Sequence, residues 1–383
     1  MSLSSSTKCI KLSVAGSGKT YWLCNEALNT LQENPTAKVL ITTFTNENIK
    51  TIKTELAKQN GGVVPENVDV MTWFRFLLRH MIKPYQSYIS GVGVNVTRTL
   101  SFAHKKVNYG SKGTRRRYLD VHDDVLVDYV DEMACEINTK SGGKTISRLA
   151  DIYDVICIDE IQDTCGRDLD LLELIIDSEV GFVGVGDPKQ ATLRTHLTST
   201  NRKLSGKNLD IWAAALESEG KVTVICEMAI RRFNAIICHF ANAIYPGGIS
   251  MTTVMKEETG HDGVFLIAFE DALTYQQFYR PIVLRYDKNS DTLGLAAINY
   301  GVSKGDTFDR VLIFPNGKLE DYLLKNKPLK SPCKYYVAMT RPRFSIAIAV
   351  DKMPNSLDSY VAVDIKVADG YIRGLEYCMD IPA

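Results

Sequence analysis

Short apolar runs alternate with longer stretches suited to helices along most of the chain. The first run ends in Lys11-Leu12-Ser13-Val14, passes through Ala15-Gly16-Ser17-Gly18-Lys19-Thr20 and leads into a stretch from Tyr21 to Leu31 that suits a helix. The theme returns at Lys38 to Asn46 with a helix from Glu47 to Gln59, and at Val68 to Phe74 with a helix to about Lys83. It appears again at Asp154 to Asp159 and at Gly181 to Gly186. Buried strands separated by helices predict an α/β fold with a parallel, doubly wound sheet. Between Tyr85 and Leu149 the pattern breaks into Tyr, Gly and Ser mixed with Lys105-Lys106, Arg115-Arg116-Arg117 and an acidic stretch from Asp120 to Glu136. That segment reads as a small insertion.

A second set of runs begins near Lys221. It comprises Val222 to Ile225, a helix opened by Arg231-Arg232, Gly263 to Ala268, Ile282 to Arg285, Arg310 to Phe314 and Ser345 to Val350. The predicted organisation is a first unit over 1–84 and 150–220, an insertion over 85–149 and a second unit over 221–383. The tail after Asp351 carries strand-like Tyr360 to Val367 and either completes the second sheet or serves as a docking surface.

Composition narrows the class. The chain has 383 residues, 45% of them apolar and 23% charged, which is ordinary for a globular protein with room for two or three domains. Lys plus Arg balances Asp plus Glu, so any basic surface for nucleic acid must be local. The nine cysteines are scattered without zinc-like spacing, the usage of a reducing cytoplasmic compartment. No apolar run is long enough to span a bilayer and the Ser-rich start is unlike a signal peptide, so no membrane association is expected.

Three stretches carry chemistry. Gly16 and Gly18 allow a tight loop at a helix N-terminus, where free backbone N–H groups bind a polyphosphate; Lys19 reaches the terminal phosphates and the Thr20 hydroxyl is left for Mg²⁺. Ser13 stands where such loops usually begin with glycine. Asp159-Glu160 closes an apolar strand, and two adjacent carboxylates there suit a metal ligand and a base for an attacking water. Gln190, in the loop after Gly181 to Gly186, is positioned to sense a γ-phosphate. Thr43-Phe44 and Thr72-Trp73 set hydroxyls beside aromatics at strand ends, which suits single-strand stacking and equally suits helix caps and core. The basic runs of the insertion are phosphate contacts or a solvated face. The second unit has no phosphate loop, so its contribution would be an arginine offered across a cleft.

The order of Ala15-Gly16-Ser17-Gly18-Lys19-Thr20, Thr43-Phe44-Thr45-Asn46, Asp159-Glu160-Ile161-Gln162-Asp163-Thr164, Gly186-Asp187-Pro188-Lys189-Gln190, Ser303-Lys304-Gly305 and Tyr336-Val337-Ala338-Met339-Thr340-Arg341 resembles superfamily 1 helicases of the UvrD/Rep type. The resemblance implies two RecA-like lobes and ATP hydrolysis with Mg²⁺. It implies roles for Lys19, Thr20, Asp159, Glu160 and Gln190 as above, for Arg341 and Arg231 as arginine fingers, for Tyr21 against adenine and for Gly305 among the nucleotide-binding positions. It implies that Thr43, Phe44, Thr72 and Trp73 hold single-stranded DNA, with movement 3′ to 5′.

The departures matter too. The stretch before the phosphate loop is short for the family's upstream glutamine motif, Leu193 and Thr195 replace stacking aromatics, and Thr307 replaces an acidic ribose contact. The span from Tyr245 to Asn299 is short for the accessory domain of such enzymes. The expectation is therefore a compact translocase. The competing expectations are an ATPase switch working with a protein partner such as a nuclease, in a phage or antiphage setting, and a compact viral-type helicase on RNA.

Overall fold

The computed structural model describes residues 3–103, 110–192, 200–201, 203–248 and 250–379. Contacts divide the chain into two units, one of Met1–Ser13 and Lys19–Cys226, the other of Val14–Gly18 and Glu227–Ala383.

The first unit is built on a six-stranded sheet. Its strands are β1 (Lys8–Ser13), β2 (Val39–Thr43), β3 (Val68–Thr72), β4 (Val155–Asp159), β5 (Gly181–Gly186) and β6 (Thr223–Glu227), in the order β3-β2-β4-β5-β1-β6. The pairings from β3 through to β1 are all parallel. Every residue of β2 and β4 is buried, as a sheet covered on both faces requires, and this is why their sequences are nearly continuous Val, Ile and Leu. Helices α1 (Lys19–Glu33) and α2 (Asn46–Gln59) follow β1 and β2, and Thr45 caps α2 by accepting from the Asn48 N–H at 3.1 Å.

After β3, a single turn of α-helix, Trp73–Phe76, widens into a π-helix over Leu77–Ile82 and then tightens to 3₁₀ at Lys83–Tyr88, where Pro84 supplies no amide donor. The expected plain helix is thus replaced by three geometries in succession. The insertion contributes α3 (Val130–Lys140) and α4 (Lys144–Ala150), and α3 buries Val130, Met133, Ala134 and Ile137 along one face. In its basic run Arg115-Arg116-Arg117, Arg115 is ion-paired with Asp123 and Arg117 with Glu132 at 2.9 Å. Lys105-Lys106 lies outside the described residues. The unit is completed by α5 (Asp168–Ile176) and α6 (Leu209–Ser218). The strand expected to open the second unit instead forms the β6 edge of this first sheet, beside β1.

The second unit is a seven-stranded sheet of β7 (Gly263–Ala268), β8 (Ile282–Arg285), β9 (Ile298–Asn299), β10 (Phe308–Phe314), β11 (Pro342–Val350), β12 (Tyr360–Val367) and β13 (Gly370–Tyr377). The order is β9-β8-β10-β11-β7-β13-β12. Its first five strands are parallel, whereas the β12–β13 hairpin adds antiparallel to β7, so the tail completes this sheet. Alternation divides its core: Val264, Leu266, Val311 and Ile313 pack with Ile237, Phe240 and Ile244 of α7 (Ala235–Ile244), while Phe265, Ile267 and Leu312 pack with Tyr275 on the opposite face.

Helix α7 starts at Ala235, capped by Asn234, rather than at Arg231-Arg232. Between Tyr245 and Asn299 the longer elements are β7, β8 and α8 (Ala272–Tyr279), which belong to this sheet and its cover, so no accessory domain is present among the described residues. Both units are α/β assemblies built on largely parallel sheets. Among the described residues no helix is long and apolar enough to cross a membrane.

Candidate active site

Strands β4, β5 and β1 lie side by side, and all three point their carboxyl ends the same way. Segments separated in sequence therefore meet at one edge of the first sheet, where open α/β sheets bind ligands. Lys19 and Thr20 open α1 beyond β1, Asp159 ends β4, and Asp187 follows β5. The Thr20 hydroxyl donates to Asp159 Oδ2 at 3.5 Å. A hydroxyl and a buried carboxylate this close form an all-oxygen donor pair. That chemistry fits Mg²⁺, which takes one or two carboxylates and completes its shell with water and substrate phosphates.

Glu160, next along, sits in the left-handed region at φ 60° and ψ 42°, an uncommon place for a residue with a side chain. Such strain persists only where the surroundings impose it, and it concentrates at functional sites. It turns the chain sharply out of β4 into the 3₁₀ turn Ile161–Asp163, and Gln162 Nε2 donates to Glu160 Oε2. Gln162 Oε1 in turn accepts the Asp187 N–H at 3.0 Å. The space for this turn is provided by Gly186, where a Cβ would collide with Gln162 Oε1 and Ile161 Cγ2.

Asp187 anchors its own loop. Its carboxylate accepts from Lys189 N and from Gln190 Nε2, each at 3.0 Å. Burial pushes this carboxyl above the usual range, while the charge of Lys19 and the two hydrogen bonds pull it back down. The expected γ-phosphate sensor Gln190 is buried and tied to Asp187. Gln162 and Asp187 were not singled out as site residues from sequence. The signal for both lies in their position inside the Asp159 to Thr164 and Gly186 to Gln190 stretches.

By its contacts the phosphate-loop segment Val14–Gly18 is part of the second unit. Gly16, at φ +78°, leaves no room for a Cβ against Arg232; its carbonyl accepts from Arg231 N at 3.1 Å, and the Ser17 carbonyl accepts from Arg231 Nη1 at 3.3 Å. Gly18 also has positive φ. Ala15 is buried in a core cluster with Ile230 and Phe233. Tyr21 is 56% exposed, so its ring is open to a ligand. Gly305 is exposed at φ +96° in the turn before β10. Arg341 is fully buried: Nε donates to the Val337 carbonyl at 2.8 Å, Nη1 to the Asp306 carbonyl at 3.2 Å and Nη2 to Thr340 Oγ1 at 3.0 Å.

The expected strand contacts fare differently. Trp73 is fully buried, its indole N–H donating to Asp168 Oδ1 at 2.7 Å and its ring stacked on Phe76, so it offers no face to a nucleic acid. Thr43 is also fully buried and accepts from Asn48 Nδ2 at 3.1 Å. Thr72 caps the turn that follows it through the Arg75 N–H. Trp73 and Thr43 thus serve the core and Thr72 serves a cap. Phe44 alone of the four keeps a half-exposed side chain without an assigned structural duty. Leu193 and Thr195 lie outside the described residues.

No curated protein matches the chain in sequence. Among solved structures it is similar to an arterivirus nonstructural protein 10 (helicase) in complex with DNA, at 15% identity and a TM-score of 0.45. That likeness covers 90% of this chain and 61% of the other, so the chain spans under two thirds of the viral protein's length. Residues 2–195, which include every side chain of the set from Lys19 to Gln190, match the model described as an AAA domain, and the chain belongs to that family.

Proposed function

We propose that this protein is an ATP-dependent single-stranded DNA translocase or helicase of the superfamily 1, UvrD/Rep kind, moving 3′ to 5′. The observation that carries the reading is the meeting of Thr20 with Asp159 beside a Glu160 forced into the left-handed region. In this reading Lys19 and the loop amides of Gly16 to Lys19 hold the β- and γ-phosphates. Thr20 and Asp159 would hold Mg²⁺, which when bound neutralises charge on the phosphates. Glu160 orients the attacking water and takes its proton, and Gln190 reads the γ-phosphate. Arg231 offsets the charge that develops as the phosphoryl group transfers, and Arg341 would join it only on leaving the Val337, Asp306 and Thr340 acceptors that hold it here. Tyr21 supplies a surface for the base, and Gly305 lets the backbone approach the nucleotide.

One observation favours a second reading. With Trp73 and Thr43 buried, the first unit has lost half of its expected strand-holding surface. An ATPase switch that gates a protein partner, unwinding little, needs no such surface. Steady-state ATP hydrolysis, with single-stranded DNA, with single-stranded RNA and with neither, tests both readings. Strong stimulation by DNA supports the translocase, and stimulation by RNA alone would move the substrate to RNA. Hydrolysis indifferent to both polymers supports the switch, and no hydrolysis above the Glu160→Gln variant would end both.

A further inference from the structure

We infer that Gln162 is a positioning residue that ties the water-activating carboxylate of Glu160 to the loop carrying the γ-phosphate sensor. The inference rests on the hydrolytic reading above. Gln162 is 1% exposed and both ends of its carboxamide are used. A backbone N–H can only donate, so the atom facing Asp187 N at 3.0 Å is the oxygen, and the amide nitrogen must then be the atom facing Glu160. The side chain is thus fixed in one orientation by its partners.

The connection continues. Asp187, whose N–H Gln162 holds, receives Gln190 Nε2 on its carboxylate and feels the charge of Lys19. Glu160, Gln162, Asp187 and Gln190 therefore form one hydrogen-bonded chain from base to sensor. A displacement of the Asp187 to Gln190 loop moves Gln162 Oε1, and the rigid amide carries that movement to Glu160. The chain gives hydrolysis a dependence on the loop that the bare pair of Glu160 and water would lack. Gly186 belongs to the same device, because any side chain there would displace the amide.

The two links of the bridge can be removed separately. Two variants separate the halves of the bridge. Gln162→Glu keeps an acceptor for the Asp187 N–H and replaces the donor to Glu160 by a like charge, whereas Gln162→Ala removes both links.

The test measures kcat and KM for ATP, binding of a fluorescent ATP analogue and thermal unfolding, with the full-length wild type and both variants. We expect kcat to fall at least about tenfold in both, within the range that general-base catalysis supplies. KM and analogue affinity should stay within about threefold, so that the loss falls on kcat alone. A kcat within twofold of wild type, or a loss of kcat matched by an equal loss of analogue binding or of folding, overturns the positioning role. A wild type that hydrolyses no ATP overturns the hydrolytic reading and this inference with it; a wild type that hydrolyses while both variants match it overturns the inference alone.

Discussion

Two regions of the first unit use the same kinds of residue to opposite ends. Around β4, β5 and β1, polar side chains end strands and are held by one another: Thr20 with Asp159, Gln162 with Glu160, Gln190 with Asp187. Around β2 and β3, hydroxyls and an indole with equal promise are consumed by the fold, as caps at Thr45 and Thr72 and as a core hydrogen bond from Trp73 to Asp168. What differs is the partner. At the first edge Thr20 reaches Asp159 and Gln162 reaches the Asp187 N–H from one strand end to another, beside a strained backbone at Glu160, whereas at the second the hydroxyls cap the turns that follow them and the indole is spent in the core.

The contrast is broken or sharpened by substitution on either side. The largest effect belongs to Glu160→Gln, which should reduce ATP turnover by about 10²- to 10⁴-fold while leaving ATP binding intact, measured by single-turnover hydrolysis and by nucleotide binding. Retained turnover would place the base elsewhere and remove the functional half of the comparison.

On the other side the expected signature is stability. His80 stacks on Phe76, which stacks on Trp73, and His80 Nε2 meets the Tyr153 hydroxyl, which donates to Asp69. Burial, with the charges of Arg79 and Arg148 and against that of Asp69, pushes the imidazole down to about 4 from its ordinary 6.5. Between those values the unfolded chain binds a proton that the folded chain refuses. Stability is therefore whole above pH 6.5 and is lost as pH falls towards 4, by up to about 3 kcal/mol for this group. His80→Phe should flatten that dependence in urea unfolding followed from pH 7 to pH 4.

Smaller again is Trp73→Phe, which leaves the buried Asp168 Oδ1 without its indole donor. The expected loss is about 1–3 kcal/mol of folding stability with DNA stimulation of ATPase unchanged per folded molecule. A selective loss of DNA response at unchanged stability would restore the indole to the strand-binding surface.

Much of the fold was legible because its strands are buried on both faces and read as unbroken apolar runs. Gly181–Gly186, Gly263–Ala268 and Ile282–Arg285 lie where the runs place them. The ownership of Thr223–Glu227 was not legible, since an apolar run carries no mark of which sheet edge it will join. Nor was the π-helix at Leu77–Ile82, which a helical pattern does not distinguish from an α-helix. In the candidate site, Lys19, Thr20, Asp159 and Glu160 stand out by residue type and spacing. The roles of Gln162 and Asp187 depend on a contact between two loops brought together by the β4–β5 pairing, which neither loop's own sequence encodes. Trp73 shows the reverse case: an aromatic beside a hydroxyl reads alike whether the ring faces solvent or Asp168.

The mildest test is also the cleanest discriminator between the two regions. Thr72 accepts from the Arg75 N–H at 3.3 Å, at the start of a four-residue α-helical turn that passes directly into the π-helix. If its hydroxyl serves only this cap, Thr72→Ala should cost about 1 kcal/mol of stability, and Thr72→Ser, which keeps the hydroxyl, should recover most of it. Single-stranded DNA affinity, measured by fluorescence anisotropy at fixed salt, should be the same for all three proteins. A hydroxyl that also touched a strand would instead lose affinity in Thr72→Ala and regain it in Thr72→Ser at matched stability. The alanine variant thus separates cap from contact at a position where the stability change is small enough to leave the rest of the unit folded.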